Sequence, residues 1–361
     1  MRLLEHPLYQ KEVESVGELP LPWERFQDST MAISGATGML GHFLIDVLMY
    51  RNRTHQQNCT VYALGRTEEK AKTCFSEYWE DYHFCFLTWQ MGRQPDLPKN
   101  LKLDYLFHMA STTHPLAYAT EPIDTIMVNV VGLHQLLETA VHHGTKRFLF
   151  VSSGEIYGIP ASDNPVFQES VCGSVDCNTL RACYPEGKRA GEALCQAFRQ
   201  EKNLDFVSVR PCRAFGPTML FSDSKAASQF IKNGIAHENI VLKSPGTQLF
   251  SYSHGADVIS GILYALLLGG SGEAYNIASG SIQLKDLAQA AADCAGTRVI
   301  FQLPEAVEKS GYSVVKRSVL DTAKLEKLGW KPLYSISQGI QETVEILTDV
   351  WKGNEPYETL L

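Results

Sequence analysis

The stretch MAISGATGMLG, residues 31–41, joins a short apolar run to a turn that contains three glycines. Met31–Ser34 has the apolar character of a buried strand, and the residues after the turn have the pattern of a helix. Without side chains, Gly35 and Gly38 let the backbone turn tightly and approach a pyrophosphate, while Gly41 allows the helix to pack closely on the strand. The N–H groups that begin the helix attract phosphates. A tight turn without a ligand is the alternative to the predicted dinucleotide site, which would comprise Gly35, Thr37, Gly38, Met39, Leu40 and Gly41.

Outward from this unit, apolar β-rich runs alternate with stretches of helical length, a pattern that predicts an α/β fold with a parallel sheet. The predicted strands are Met31–Ser34, Thr60–Leu64, Asp104–Met109, Arg147–Ser152 and Asp205–Arg210, and the helices between them lie near 39–51, 67–79, 122–143 and 184–202. Later helices are predicted near 223–237, 255–268, 284–295 and 335–352. We therefore predict a doubly wound, Rossmann-type sheet with a smaller, mostly helical C-terminal substrate domain.

The pattern also divides the chain, which at 361 residues is long enough for two closely joined domains. Trp23 and Phe26 give the N-terminal extension large apolar side chains that can pack on the first domain. The predicted parts are the extension (1–29), a dinucleotide-binding domain (30–215, with a return of strand and helix near 250–278) and a substrate-binding domain (216–249 and 279–361).

The end of the second predicted strand bears on the choice of dinucleotide. NAD-binding proteins usually place an acidic residue there to hold the ribose hydroxyls. This chain has Gly65 at that position and Arg66 directly after it. A guanidinium at this place favours the 2′-phosphate of NADP. We therefore predict NAD or NADP as cofactor, with Gly65 and Arg66 favouring NADP; a solvated Arg66 beside NAD is the alternative.

Tyr184 and Lys188 are four residues apart and therefore share one face of a predicted helix. A nearby cation lowers the pKa of a phenol, which then takes a proton from a sugar hydroxyl more readily. Ser153, at the end of the fourth predicted strand, can share a hydrogen bond with the reacting hydroxyl. The three residues predict a Ser/Tyr/Lys catalytic set, whereas the pair alone would also describe a surface tyrosine and lysine.

With these residues placed, the chain resembles an extended short-chain dehydrogenase/reductase of the nucleotide-sugar epimerase/dehydratase family, from about Thr30 to about Leu347. Its motifs are most similar to those of UDP-glucuronate decarboxylases. They are HMAS (108–111) followed by Pro122-Ile123 and Asn129, SSGEIYG (152–158) and CYPEGKR (183–189). The resemblance implies further cofactor contacts from Met109, Ala110, Ser111, Asn129, Ser152, Tyr184, Lys188 and Pro211.

The resemblance also assigns roles near the sugar. Ser153 corresponds to the Ser/Thr beside the tyrosine, and Glu155 corresponds to a catalytic-site glutamate. Tyr118 matches a residue that approaches the sugar, and Arg317 matches an arginine of the substrate site. Gly154 stands where related 4,6-dehydratases carry the aspartate that acts as acid, which disfavours dehydration.

Three positions depart from the family pattern. Arg213 stands where a substrate asparagine is common, Thr218 where an arginine often follows Gly-Pro, and Phe250 where an arginine would hold the nucleotide diphosphate. Arg213 is expected to replace that cation, unless the ligand differs in its nucleotide or sugar. A structural salt bridge of Arg213 and simple packing of Tyr118 are the alternatives. The predicted substrate contacts are Ser111, Tyr118, Glu155, Arg213, Thr218 and Arg317.

The composition limits the partners. With 32 Lys+Arg against 40 Asp+Glu, the formal charge is -8 and there is no basic block, so no nucleic-acid partner is expected. Nine scattered cysteines without CxxC pairs are typical of reduced thiols in the cytoplasm, and we predict no metal site. The longest apolar run, Val258–Leu268, is too short to cross about 30 Å of hydrocarbon, and the N-terminus lacks the pattern of a secretory signal. No membrane association is expected.

These observations predict an enzyme that oxidises the C4 hydroxyl of a nucleotide-sugar to a transient 4-ketone. Return of hydride after rotation gives a 4-epimer, whereas a carboxylate at C5, being β to the ketone, leaves as CO2. Because the cofactor is restored within one cycle, it should stay tightly bound. The alternatives are a net reductase or dehydrogenase on a nucleotide-linked sugar or polyol, a 4,6-dehydratase, and a dinucleotide-binding regulatory protein without turnover.

Two further expectations concern assembly and the loop after the third predicted strand. In the superfamily that the chain resembles, helices matching 122–143 and 184–202 pair across a two-fold axis, which implies a homodimer. Burial of those faces within one subunit is the alternative. His114 is expected either to touch the sugar or to face solvent.

Overall fold

The computed structural model describes residues 1–113, 115–159, 166–302 and 315–352. His114, with its predicted position near the sugar, and parts of the predicted substrate domain (303–314 and 353–361) lie outside these residues. Among the described residues, no helix is long and apolar enough to cross a membrane. No group of three or more His, Cys, Asp or Glu side chains in this part of the chain is arranged to hold a metal ion.

The strands follow the predicted alternation. In chain order they are β1 (Thr30–Ser34), β2 (Thr60–Gly65), β3 (Phe84–Thr88), β4 (Tyr105–His108), β5 (Arg147–Val151), β6 (Val166–Phe167), β7 (Phe206–Pro211), β8 (Arg213–Phe215), β9 (Ile240–Leu242), β10 (Leu249–His254), β11 (Ala274–Ile277), β12 (Gly280–Gln283), β13 (Val299–Phe301) and β14 (Arg317–Leu320).

The helices lie between and after these strands. They are α1 (Pro7–Gly17), α2 (Met39–His55), α3 (Glu68–Cys74), α4 (Pro115–Thr120), α5 (Pro122–Met127), α6 (Leu133–His142), α7 (Cys183–Lys202), α8 (Ala226–Ile235), α9 (Gly255–Leu268), α10 (Leu284–Ala295), α11 (Ala323–Glu326) and α12 (Ile336–Lys352). Short 3-10 turns occupy Leu3–Glu5, Trp23–Phe26, Gly154–Tyr157 and Leu180–Ala182, and a π-helical turn occupies Val128–Gly132.

The larger sheet decides where a ligand can bind. Its seven strands lie in the order β11-β7-β5-β4-β1-β2-β3, and every pairing is parallel. The central strands β4 and β7 are buried along their whole length, as parallel strands covered on both faces must be. The chain order reverses between β1 and β4, so the carboxyl ends of these two strands border the crevice where such sheets bind ligands. The predicted Rossmann-type fold is confirmed.

A second group of strands stands beside this crevice. β12, β10, β14 and β6 are neighbours in one sheet, with β8 paired to β10, and β9 pairs with β13. The parallel pairing of β8 with β10 sets Arg213 opposite Tyr252. Helices α8, α10 and α12 pack against one another in the same region.

The N-terminal extension contains a helix, α1, that was not predicted from the sequence. Tyr9, Val13 and Val16 form the buried stripe of α1, which packs on α2 and α9. The Tyr9 hydroxyl donates to the buried carboxylate of Asp46 on α2. Phe26 is fully buried with its ring edge against Tyr105, so the extension is part of the core of the first domain, as its aromatic residues predicted.

Two predicted helices differ from the structure, and one strand of the larger sheet was not predicted. The strand Phe84–Thr88 was not predicted, because this edge strand is half-exposed over most of its length and its sequence lacks a clear period. The helix predicted near 67–79 ends at Cys74. The helix predicted near 122–143 is interrupted by the π-helical turn, in which the Asn129 side chain donates to the Thr125 carbonyl at 2.8 Å and so competes with the regular helical hydrogen bond.

Candidate active site

The glycine turn lies at the crevice between β1 and β4. Gly35 has a φ of +73°, a left-handed conformation that favours glycine, and a Cβ atom there would lie 2.7 Å from the Ala110 nitrogen. Gly38 is the N-cap of α2 and has no side chain to occupy the first N–H groups of this helix. The turn therefore leaves uncapped amide donors at the edge of the sheet, where an anion can approach them.

One cleft brings most of the predicted site residues together. One wall of this cleft is the glycine turn with the start of α2. The other wall is formed by the ends of β4, β5 and β7 and by residues of the second group of strands. The predicted residues that line it are Gly35, Gly38, Met39, Leu40, Gly41, Met109, Ser111, Tyr118, Ser152, Ser153, Glu155, Tyr184, Pro211 and Arg213.

The cleft has features that fit a dinucleotide. Within the described part of the chain, the buried Ser152 Oγ and Asn129 Oδ1 have no hydrogen-bond partner. The Asn129 amide nitrogen donates to Ser111 Oγ at 3.1 Å, and Ser111 lines the cleft. A buried polar atom without a partner is costly, so a bound ligand or water would stabilise these groups. Together with the uncapped start of α2, they form a cradle suited to a phosphate-bearing cofactor.

The end of β2 lies next to the glycine turn. A side chain at Gly65 would begin 2.9 Å from the Phe86 ring and 3.9 Å from the Thr37 methyl group, so there is little room for the usual carboxylate. Arg66 is exposed. Lys70, one helical turn later, has its pKa lowered, mainly by burial and further by the nearby charge of Arg66. Position 65 carries no carboxylate, and the cations Arg66 and Lys70 would suit an extra phosphate, while Glu68 between them is paired with Lys72.

Tyr184 and Ser153 meet at the centre of the cleft. Tyr184 is buried on the first turn of α7, and it lines the cleft together with Ser153, which is near enough to the phenol to lower its pKa. Ser153 Oγ also accepts from the Glu155 N–H at 3.1 Å, which fixes the serine at the start of its 3-10 turn. Lys188 lies one turn further along α7 and donates from Nζ to the Val151 carbonyl at 2.7 Å. The predicted Ser/Tyr/Lys set is therefore brought together at the end of β5.

The electrostatics of this set differ from the prediction. In the chain by itself, burial and the charge of Glu155 raise the pKa of Tyr184 above its ordinary value, against smaller opposing effects of Ser153 and Arg181. Lys188 was expected to lower that pKa. Its Nζ lies 5.8 Å from the centre of the Tyr184 ring and is directed to the Val151 carbonyl, and its burial lowers its own pKa to about 7. Because a buried amine is easily neutralised, Lys188 does not offset the desolvation of the phenol.

Glu155 is paired with a residue that the sequence reading did not select. Arg181 donates from Nη2 to both carboxylate oxygens of Glu155, at 3.1 and 3.0 Å. Its guanidinium lies 4.8 Å from the centre of the Tyr118 ring, and Tyr118 is stacked on Tyr184 at a centroid distance of 5.0 Å. Arg181, Tyr118 and Tyr184 thus form one stack, in which Tyr118 is only 4% exposed.

Of the other predicted substrate residues, Arg213 lines the cleft, and Arg317 and Thr218 do not. Arg213 lines the cleft with its guanidinium over the Phe250 ring, whereas Arg317 does not line it, although the next residue of β14, Ser318, does. Thr218 is buried and its hydroxyl donates to the Met39 carbonyl at 2.8 Å, so this side chain holds the start of α2. Thr37, Gly65, Arg66, Ala110, Asn129 and Lys188 lie behind or beside the lining residues.

Two cations near the cleft were missed by sequence reasoning. Arg181 precedes Tyr184 by one helical turn, and this spacing was the available signal for it. Lys225 lines the cleft and pairs with Asp223 at 2.9 Å, and no spacing in the sequence connects this pair with the glycine turn. Their positions follow from the packing of the two groups of strands around the cleft.

Comparison with known proteins identifies the family. The model of the NAD dependent epimerase/dehydratase family matches residues 31–278. UDP-glucuronic acid decarboxylase 2 of Arabidopsis thaliana is 28% identical over 326 residues, which cover 90% of this chain and 69% of the relative. UDP-glucuronic acid decarboxylase 5 of the same plant is 27% identical over 324 residues, covering 89% of this chain and 90% of the relative.

Solved structures show the same fold. The UDP-glucuronic acid 4-epimerase from Bacillus cereus, in complex with UDP-glucuronic acid and NAD, has a TM-score of 0.74 and 19% identity, covering 89% of this chain and 100% of that one. DesIV, a dTDP-glucose 4,6-dehydratase from Streptomyces venezuelae with NAD bound, has a TM-score of 0.76 and 23% identity, covering 91% and 99%. At these identities the similarity concerns the fold alone.

Proposed function

The chain belongs to the NAD dependent epimerase/dehydratase family, a family of enzymes, and we propose that it oxidises the C4 hydroxyl of a nucleotide-linked sugar acid to a transient 4-ketone. The observation that carries this proposal is that the buried Ser153 and Tyr184 line one cleft with the glycine turn. The bound dinucleotide supplies the group that takes and returns hydride at C4. NAD or NADP is held by the start of α2 and by the ends of β4 and β5.

The side chains of the cleft transfer the proton and hold the substrate. Tyr184 accepts the proton of the C4 hydroxyl, and Ser153 shares a hydrogen bond that orients this hydroxyl toward the phenol oxygen. Lys188 holds the end of β5 through the Val151 carbonyl and would help to hold the nicotinamide ribose of a bound dinucleotide. Glu155, which also lines the cleft, acts as a second acid or base or anchors the sugar. Arg213 and Arg317 are proposed contacts of the diphosphate and the sugar, with Ser111 and Tyr118 beside them.

Once the ketone has formed, the group that the sugar carries at C5 determines which product is made. If C5 carries a carboxylate, the bond between C5 and the carboxyl carbon breaks, CO2 leaves, and the electron pair moves into the enolate of the ketone. A proton then returns to C5. The similarity to UDP-glucuronic acid decarboxylases favours this outcome over rotation of the ketone sugar, which would give the 4-epimer.

The cleft disfavours a 4,6-dehydratase. A Cβ atom on Gly154 would lie 3.2 and 3.4 Å from the two methyl carbons of Leu320 and 3.5 Å from the Pro211 carbonyl oxygen. An aspartate at this position would therefore press on a buried leucine that also lines the cleft. The acid on which the dehydratases rely has no substitute at this position, so water elimination is not the proposed reaction.

The cofactor is proposed to be NADP rather than NAD. The exposed Arg66 and the adjacent Lys70 form a cationic end of β2, and Gly65 offers no carboxylate to the ribose hydroxyls. We propose a cytoplasmic homodimer. Ile123 and Met127 on α5 and Leu180 just before α7 are 73%, 38% and 66% exposed, which supports pairing along the two predicted helices.

The function is tested with UDP-glucuronate carrying carbon-13 in its carboxylate. The purified protein, first characterised for its bound dinucleotide by mass spectrometry, is incubated with this sugar and followed by NMR. Release of labelled CO2 with formation of a UDP-pentose supports a decarboxylase, and UDP-galacturonate supports an epimerase. Net consumption of added NADPH identifies a reductase. Bound dinucleotide with no change in any UDP-, CDP-, GDP- or dTDP-sugar contradicts the enzymatic proposal and favours a regulatory protein.

A further inference from the structure

Arg181 does not itself line the cleft, but it contacts two residues that do, Glu155 and Tyr118. Its Nη2 lies 3.0 and 3.1 Å from the two oxygens of Glu155, and its guanidinium plane covers Tyr118. Glu155 and Tyr118 both line the cleft. The arginine therefore connects the carboxylate of Glu155 with the stacked rings of Tyr118 and Tyr184.

The charged residues that line the cleft are Glu155, Arg213 and the pair of Lys225 with Asp223, and the Arg213 guanidinium lies over the Phe250 ring. Glu155 supplies a negative charge, and Lys188 is buried behind Tyr184 with its amine directed to a backbone carbonyl. Lys225 is balanced by Asp223, at 2.9 Å. Without Arg181, a substrate that carries a carboxylate would meet the uncompensated carboxylate of Glu155, and two like charges at close range disfavour binding.

The arginine also retains donors for a second anion. Among the described residues, only Nη2 of its three guanidinium nitrogens donates a hydrogen bond, and the side chain is 54% exposed. A guanidinium can bind two carboxylates at once because its donors point in several directions in one plane. The guanidinium carbon lies 4.8 Å from the centre of the Tyr118 ring, a contact that restrains the side chain without using Nε or Nη1 as hydrogen-bond donors.

We infer that Arg181 is a specificity-determining residue that admits a sugar acid by neutralising Glu155 and offering its remaining donors to the substrate carboxylate. This inference rests on the proposed function, because it concerns the sugar of that reaction. It assigns the discrimination between a carboxylate and a hydroxymethyl group to one residue outside the Ser/Tyr/Lys set. A neutral nucleotide-sugar gains nothing from Arg181, and the nucleotide alone does not reach it.

The test compares the binding of UDP-glucuronate, UDP-glucose and UDP to the cofactor-loaded protein by calorimetry. Arg181→Gln is expected to weaken UDP-glucuronate binding by about tenfold or more while changing the affinities for UDP-glucose and UDP by less than about twofold. Arg181→Lys should recover only part of the loss, because lysine has neither the planar donors nor the stacking surface. Unchanged UDP affinity and an unchanged thermal midpoint show that each variant is folded.

A double variant separates charge balance from a merely structural role. Glu155→Gln together with Arg181→Gln removes both charges and should bind UDP-glucuronate better than Arg181→Gln alone. Arg199→Gln, an exposed arginine on α7, serves as the control for loss of one positive charge. Equal losses for UDP-glucuronate and UDP-glucose, no loss for either, or a double variant no better than the single one would each overturn the inference.

The same measurements keep this inference distinct from the proposed function. If the wild-type protein binds UDP-glucuronate selectively but forms neither CO2 nor an epimer from it, the proposed reaction fails and the role of Arg181 stands. If the wild-type protein binds UDP-glucose as tightly as UDP-glucuronate, the inference fails, while oxidation at C4 of the neutral sugar would still support the proposed chemistry.

Discussion

The guanidinium carbon of Arg213 lies 3.9 Å from the centre of the Phe250 ring. The two residues are on paired strands, because β8 runs parallel to β10, and Arg213 lines the cleft. In the family that the chain resembles, position 250 carries the cation that holds the diphosphate and position 213 carries an asparagine. The contact supports an exchange of the cation between two neighbouring strands that leaves the charge in the same part of the cleft.

This exchange can be tested by reversing it. Arg213→Asn should weaken UDP binding by about tenfold to a hundredfold, the effect of one charge-assisted hydrogen bond. Adding Phe250→Arg to that variant should recover part of the affinity. Lys243→Gln, which removes an exposed positive charge elsewhere, should have little effect. A double variant as weak as Arg213→Asn would show that the two positions do not share one ligand contact.

The catalytic role of Tyr184 predicts a selective loss. Tyr184→Phe should lower kcat for any accepted sugar by about two to four orders of magnitude, because it removes the group that takes the proton. Binding of the dinucleotide should be unchanged, as measured by fluorescence titration. Tyr82→Phe, at a side chain that is 84% exposed, serves as the control. Normal turnover by Tyr184→Phe would exclude the proposed chemistry.

Burial of Lys188 predicts a dependence of stability on pH in the cofactor-free protein. Its pKa is lowered from 10.5 to about 7 in the folded chain, so between these values the unfolded chain binds more protons than the folded one. The free energy of unfolding should therefore rise with pH across this window, by up to about 1.4 kcal/mol per pH unit from this residue.

Urea unfolding at pH 7, 8 and 9 checks this dependence. Lys188→Met should remove the rise and should stabilise the protein most at the lower end of the window. Lys11→Met, at an exposed position on α1, should retain the wild-type dependence. Identical pH profiles for the wild type and Lys188→Met would contradict the assignment of the effect to this amine.

The cationic end of β2 predicts the choice of cofactor. Arg66→Gln should raise the Kd for NADP by about tenfold and leave the Kd for NAD within about twofold, because only NADP carries the additional phosphate. Both constants are measured on protein freed of bound cofactor. Lys72→Gln, an exposed lysine paired with Glu68 on the neighbouring α3, is the matched control. A wild-type preference for NAD that Arg66→Gln does not alter would contradict the proposal.

The proposed homodimer predicts a change in mass when its exposed apolar face is altered. Ile123→Asp places a charge on a side chain that is 73% exposed. In sedimentation experiments this variant should have the mass of a monomer, whereas the wild type should have the mass of a dimer. The substitution should not lower the thermal midpoint of the monomer. Tyr82→Asp, the control variant, should still sediment with the mass of a dimer. A wild-type protein that sediments as a monomer would overturn this part of the proposal.

Much of the fold follows from local patterns in the sequence. Met31–Gly41 identifies a strand, a turn and a helix because the required backbone approach admits only glycine at fixed spacings. The alternation of strands and helices predicts the parallel sheet, and the spacing of Tyr184 and Lys188 places both on α7 because four residues make about one helical turn. These features depend on neighbours in the chain, so they can be read without knowing what the elements pack against.

The tertiary structure decided which groups meet and what their surroundings do to them. Arg181 pairs with Glu155, and Arg213 covers Phe250, because separate turns and strands converge on one cleft. The spacing of Tyr184 and Lys188 indicated a lowered pKa of the phenol, yet burial raises this pKa. The Lys188 amine donates its hydrogen bond to the Val151 carbonyl. The sequence determined the elements and the types of reacting groups, since these depend on local geometry. Their pairing and protonation depend on desolvation and on contacts between distant residues, which only the folded chain creates.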